Sequence, residues 1–191
     1  MQQQREEPGN LSTKDSFNML HVAFSGLGSC VVVFLRTGFG KEYPGMAGLL
    51  GLIMMVGYGS LARVPEMFPY IGVWLLAVIL HRVKTFELAR KGAVVHSRFW
   101  GYPKLAFMVP FVRKQQTAIG FVEPMLCTIV GGALTCWSPG VGAFVIAAGW
   151  ANAMAAAITL EVDRKKLQAM RDAELEQRHL AAMYRGEIEE L

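Results

Sequence analysis

This 191-residue chain predicts an all-α integral membrane protein, with two transmembrane helical hairpins, an N-terminal in-plane or re-entrant helix and a long C-terminal cytoplasmic helix. Three observations carry that expectation. First, two apolar runs, Thr117 to Trp137 and Gly140 to Leu160, are separated only by Ser138-Pro139. Each run is about 20 residues long, enough to cross a hydrocarbon core as a helix. Second, Arg113 and Lys114 precede this pair and Arg164, Lys165 and Lys166 follow it, while the turn between carries no basic residue. The positive-inside bias then places both outer ends in the cytoplasm. Third, 53% of the chain is apolar, with 20 glycines and 11 methionines. That exceeds the usual apolar share of a soluble domain, and glycine is frequent in transmembrane helices.

Residues 1–16 form a polar tail, in which Ser12-x-x-Asp15 has the spacing of a helix-capping pair. Residues 17–36 follow as an in-plane or first membrane helix. His21, Ser25, Ser29 and Arg36 recur there at three- to four-residue spacing, a polar stripe that favours an in-plane placement with both termini inside. Residues 46–81 read as the first transmembrane hairpin, Met46 to Ala62 and Met67 to Leu80 turning around Pro65 and Glu66. Both arms are short for full spans and rely on snorkelling of Arg63, Arg82 and Lys84.

Residues 82–116 form a basic, aromatic cytoplasmic or interfacial segment. Val83 to Lys91 continues as a helix that Gly92 ends. His96, Arg98, Trp100 and Tyr102 then lie within one short stretch. The plain reading is an anchor at headgroup depth; the sharper one is a docking surface, because aromatic residues and arginine are also enriched at protein interfaces. Residues 117–160 are the second transmembrane hairpin. In its last arm Ala143, Ala147, Ala151 and Ala155 recur every four residues, with Gly149 on an adjoining face, and Thr128, Gly132 and Cys136 make a small stripe in the arm before. Small residues let transmembrane helices pack closely, so these stripes are expected to meet, with Asn152 supplying an interhelical hydrogen bond.

Residues 161–191 are a cytoplasmic amphipathic helix. Glu161-Lys165 and Glu174-Arg178 are favourable i,i+4 pairs, and Leu167, Met170, Leu180 and Tyr184 draw an apolar stripe that needs a cover. A helix of about 23 residues here extends about 35 Å.

Little in the chain points to chemistry. No phosphate loop, nucleophile elbow or His-Glu-x-x-His motif occurs, so no enzyme activity, cofactor or metal site is expected. Cys30, Cys127 and Cys136 all lie in apolar runs, where a thiol acts as a small hydrophobe. Glu123, early in the fourth apolar run, is the one intramembrane carboxylate; a structural pairing with Arg113 or Lys114 is favoured over an ion or proton site. The net charge of +4 is gathered in basic segments that suit anionic lipid headgroups, and nothing resembles a nucleic-acid platform. The expected role is a non-catalytic structural or assembly subunit of a larger membrane complex, docking other subunits or itself through the aromatic segment and the C-terminal helix. A small homo-oligomeric channel or transporter using Glu123 and Asn152 is the alternative. The expected location is a bacterial inner membrane, with the C-terminus in the cytoplasm.

Overall fold

The structure, a computed structural model, describes residues 13–92, 101–105 and 117–185, with side chains from Ser16 onward. Among them every regular element is helical: α1 (Thr13–Leu35), α2 (Gly45–Leu61), α3 (Met67–Arg90), a π-helical turn (Ala118–Val122) leading into α4 (Glu123–Leu134), and α5 (Pro139–Tyr184). Two helices are long and apolar enough to cross a membrane, Ser16–Leu35 and Pro139–Tyr184, each with a most apolar window of mean hydropathy 1.7. α2 and the π-turn with α4 are apolar but shorter.

The chain divides into two compact units, Met1–Ala156 and Ala157–Leu191. In the first, α1 is the spine of the core. Cys30 to Val33 are fully buried, and Ser29 is too. α1 runs antiparallel to α2: a side chain at Gly26 would meet Leu50, and one at Gly51 would meet Ser29 and Cys30. The Ser29 hydroxyl donates to the Gly26 carbonyl of its own helix (2.7 Å) and to the Ala47 carbonyl of α2 (3.0 Å). This gives the stripe His21, Ser25, Ser29, Arg36 a different meaning from the in-plane expectation. Its lower half faces protein, where Ser29 and Arg36 find buried partners, so it needs no headgroup layer to satisfy it.

A five-residue turn joins α2 to α3. Arg63 takes the left-handed backbone there (φ 53°), and Met67 closes against Gly59. α3 then packs along α1: Trp74 Nε1 donates to the Ser29 carbonyl (3.1 Å), the Tyr70 hydroxyl to the Cys30 carbonyl (3.0 Å), and His81 Nε2 to the Val33 carbonyl (3.0 Å). As expected, Gly92 stops this helix just after Arg90, at φ 75°. The helix is also one piece from Met67, so the membrane-like and cytoplasmic parts separated in the sequence form a single 24-residue element.

α4 and α5 are also antiparallel. A side chain at Gly131 would meet Ile146 and Gly142, and one at Gly149 would meet Cys127. The α2–α3 and α4–α5 turns lie together: the Ser138 hydroxyl donates to Glu66 Oε2 (3.3 Å) and the Tyr58 hydroxyl to the Gly140 carbonyl (3.1 Å).

The second unit contains the C-terminal part of α5. Residues 161–181 are exposed throughout. Both i,i+4 ion pairs expected from the sequence form, Lys165–Glu161 at 4.0 Å and Arg178–Glu174 at 2.6 Å. At such exposure each contributes only a few tenths of a kcal/mol, about 0.3–0.5.

Candidate functional site: a buried Arg36–Glu123–Asn152 cluster

Each of these polar residues is carried to the interior by an otherwise apolar helix. α1 ends at Leu35, and its hydrogen bonding persists one residue further, Arg36 N–H donating to the Val32 carbonyl (3.0 Å). Arg36 therefore keeps the inward register of Val32 and leaves α1 as the chain turns away through Gly38. Glu123 is placed by the π-turn. Pro124 has no N–H for the Gly120 carbonyl, its α-helical acceptor, and its ring crowds that carbonyl. The chain answers with a wider turn, in which Glu123 N–H reaches the Ala118 carbonyl five residues back. Single π-turns of this kind often occur at functional sites. Asn152 arrives on α5, where Gly28 of α1 lets the two backbones nearly touch: a Cβ at Gly28 would stand 2.9 Å from the Asn152 Cα.

The three side chains close on one another. Arg36 Nε donates to Glu123 Oε1 at 2.8 Å and Arg36 Nη2 to Oε2 at 2.6 Å, the bidentate geometry that suits guanidinium and carboxylate. Asn152 Nδ2 donates to Glu123 Oε2 at 2.8 Å, and Asn152 Oδ1 accepts from Arg36 Nη2 at 3.3 Å. Burial is nearly complete, with Arg36 4%, Glu123 1% and Asn152 5% exposed. The charges cancel, and both carboxylate oxygens and both ends of the amide are used. A buried pair of this quality is expensive to break from one side, because the survivor is left charged and desolvated.

A short segment covers the arginine. Thr37 and Tyr102 exchange both backbone bonds, Thr37 N–H to Tyr102 O at 3.0 Å and Tyr102 N–H to Thr37 O at 2.7 Å. This seats Gly101 on the cluster at φ 82°, where a Cβ would stand 3.1 Å from Arg36 Cβ and 3.0 Å from the Phe39 ring. Only glycine suits both the backbone and the gap. Tyr43, stacked on Phe39 at 3.8 Å between centroids, completes the shell beside the arginine. Burial pushes its phenol pKa up, and the positive charge of Arg36 opposes that only in part.

Glu123 and Asn152, named from the sequence, are thus brought together, and the described cation that pairs with the carboxylate is Arg36; Arg113 and Lys114, the partners expected from the sequence, lie outside the described residues. The signal was present in the polar stripe of the first helix: one arginine and one carboxylate each stood at an apolar run, and neutrality favours their pairing. The small-residue stripes meet on a face slightly rotated from the expected one. Ala151, Ala155 and Gly149 are buried, whereas Ala143 and Ala147 are exposed and a side chain at Gly132 would enter open space. The contact uses Cys127 and Gly131 of α4, each one residue before Thr128 and Gly132. Glu123 and Pro124 set this register, because the face that buries the carboxylate also carries residues four and eight positions on.

Of the docking residues, Tyr102 is half exposed, and Leu167, Met170 and Leu180 are exposed in the second unit; His96, Arg98 and Trp100 lie outside the described residues. No group of three or more His, Cys, Asp or Glu side chains gathers for a metal among the described residues. No family model, curated protein or solved structure matches this chain.

Proposed function

We propose that the chain is a membrane-embedded, non-catalytic subunit of a larger membrane complex. The helices of the first unit lie in the bilayer, and the C-terminal part of α5 is offered to partners in the cytoplasm of a bacterial cell. The observation that carries this reading is a contrast in satisfaction. Inside the first unit the polar groups on apolar helices consume one another in the Arg36–Glu123–Asn152 cluster. A transport path needs polar groups presented to water or to a substrate near the midplane, and these are closed in protein. In the second unit Leu167, Met170, Leu180 and Tyr184, spaced to share one flank of the helix, are each more than half exposed, and the same helix carries the two exposed i,i+4 ion pairs. Clustered apolar exposure on one element is the mark of an interaction surface.

Since α1 runs antiparallel to α2, an embedded first unit carries the N-terminal end of α1 to the face that holds the α2–α3 and α4–α5 turns. Within that unit the N-terminal end of α1 and the C-terminal end of α3 then lie on opposite sides of the membrane, in place of the in-plane first helix expected from the sequence. The α2–α3 and α4–α5 pairs serve as the two transmembrane hairpins.

Native mass spectrometry of the tagged chain, extracted from its own membrane in mild detergent, tests the reading. Other proteins in fixed ratio, lost on deleting the residues after Val162, are the expected result; a homogeneous homo-oligomer without partners contradicts it. The channel reading draws on the contact between Glu123 and Asn152, and it requires that Glu123→Gln abolish an ion or proton flux in reconstituted vesicles.

A further inference from the structure

The two ends of the first unit carry different charge. Around the α2–α3 turn the described charged residues are Arg63 and Glu66, one of each sign. Around the C-terminal end of α3 the described charged residues are six cations, Lys41, Arg82, Lys84, Arg90, Lys91 and Lys104, and two carboxylates, Glu42 and Glu87. They come from three separate stretches, and named contacts gather them. The Arg82 guanidinium donates to the Lys41 carbonyl, and the Thr85 hydroxyl to the Phe39 carbonyl (3.3 Å), which fixes the 36–44 loop on α3. The Thr37–Tyr102 pairing then brings the 101–105 segment to the same end, with Lys104 N–H turned back to the Tyr102 carbonyl (2.8 Å). Lys41 and Lys104, isolated in the sequence, thereby join the basic run of α3.

We infer that this end is a binding surface for anionic lipid headgroups, with Lys41, Lys84 and Lys104 meeting the phosphate and the exposed ring of Tyr102 lying in the headgroup layer. The inference rests on the membrane reading above and specifies which residues of the unit meet the charged leaflet. Lipid is favoured over a free anion by what adjoins the charge. Leu80, Val83 and Phe86 are exposed on the same turns of α3 as Arg82 and Lys84, so cationic heads border a surface fit for acyl chains. Basic residues near an anionic membrane surface each contribute about 1 kcal/mol, roughly fivefold in binding.

The test uses the full-length protein purified in a neutral detergent, mixed with equal amounts of phosphatidylglycerol and phosphatidylcholine and weighed intact with its retained lipid. The wild type is expected to retain phosphatidylglycerol over phosphatidylcholine by at least about tenfold. Lys41→Gln, Lys84→Gln and Lys104→Gln together, all at exposed positions away from the buried cluster, should bring the ratio close to one; Arg63→Gln, at the opposite end, should leave it unchanged. A single Lys84→Glu variant reads the same ratio should the triple variant fail to purify. Equal retention by the wild type, a preference untouched in the variants, or full displacement of the lipid by inorganic phosphate overturns the inference. Recovery of the chain from the aqueous fraction of cells would defeat the membrane reading itself, an outcome distinct from a membrane-bound chain with no lipid preference.

Discussion

Glu123→Gln separates charge from shape at the buried cluster. The glutamine keeps the carboxylate's outline and one acceptor oxygen, but Arg36, 4% exposed, is left with neutral acceptors only. Removing one partner of a buried ion pair costs about 3–5 kcal/mol. In a unit of this size each kcal/mol moves the melting temperature by about 2–4 °C, so a fall of roughly 6–20 °C is expected. Arg36→Met alone should cost a similar amount, since it strands the carboxylate. The double variant, Arg36→Met with Glu123→Met, discriminates. Independent losses would sum to about 6–10 kcal/mol, whereas replacing both charges by apolar groups is close to neutral, leaving only the orphaned Asn152 amide at about 1–3 kcal/mol. Melting of the detergent-solubilised protein, followed by its tryptophan fluorescence, measures all three variants. A glutamine variant that melts with the wild type, or a double variant as unstable as the sum, would refute the claim that these side chains stabilise the fold as a pair.

Three further expectations follow from the same packing. Asn152→Ala loses one donor to the carboxylate and one acceptor from the guanidinium, which should cost about 1.5–3 kcal/mol, less than either charge deletion in the same melting assay. Gly149→Ala puts a methyl group onto Cys127 and should cost about 1–3 kcal/mol, whereas Gly132→Ala enters open space and should raise stability by up to about 1 kcal/mol through helix propensity. Because burial raises the pKa of Tyr43, the unfolded chain ionises this phenol first as the pH passes about 10. The neutral phenol therefore stabilises the fold below that pH, and the contribution is lost progressively as the pH rises above it towards the raised folded pKa; Tyr43→Phe should flatten the decline of melting temperature from about pH 10 upward, where the unfolded chain is ionised and the folded one is not.

Helix placement was legible in the sequence because local signals coincide with it. Pro65-Glu66 and Ser138-Pro139 mark the turns, Gly92 marks the end of α3, and the charge pattern after Leu160 marks a solvated helix with its two ion pairs. The register between helices was not legible. Thr128, Gly132 and Cys136 are as small and as regularly spaced as the residues that make the contact, and spacing alone cannot choose between adjacent stripes. The carboxylate chooses: once Glu123 must be buried against Arg36, Cys127 and Gly131 are turned inward with it. The role of α1 was hidden for the opposite reason. A polar stripe on an apolar helix looks the same whether it faces headgroups or a protein interior, and only the partners that fold against it decide. Ser29 finds the Ala47 carbonyl and Arg36 finds Glu123, so the first helix is core and not periphery.

The cysteines supply the most direct measurement of the proposed topology. Cys136 is exposed in the turn between α4 and α5, while Cys30 and Cys127 are buried in the helix contacts. A membrane-impermeant maleimide applied to spheroplasts expressing the full chain should modify Cys136 from outside, and Cys136→Ser should abolish the labelling. Labelling of Cys136 only after lysis would place the paired turns in the cytoplasm and contradict the account.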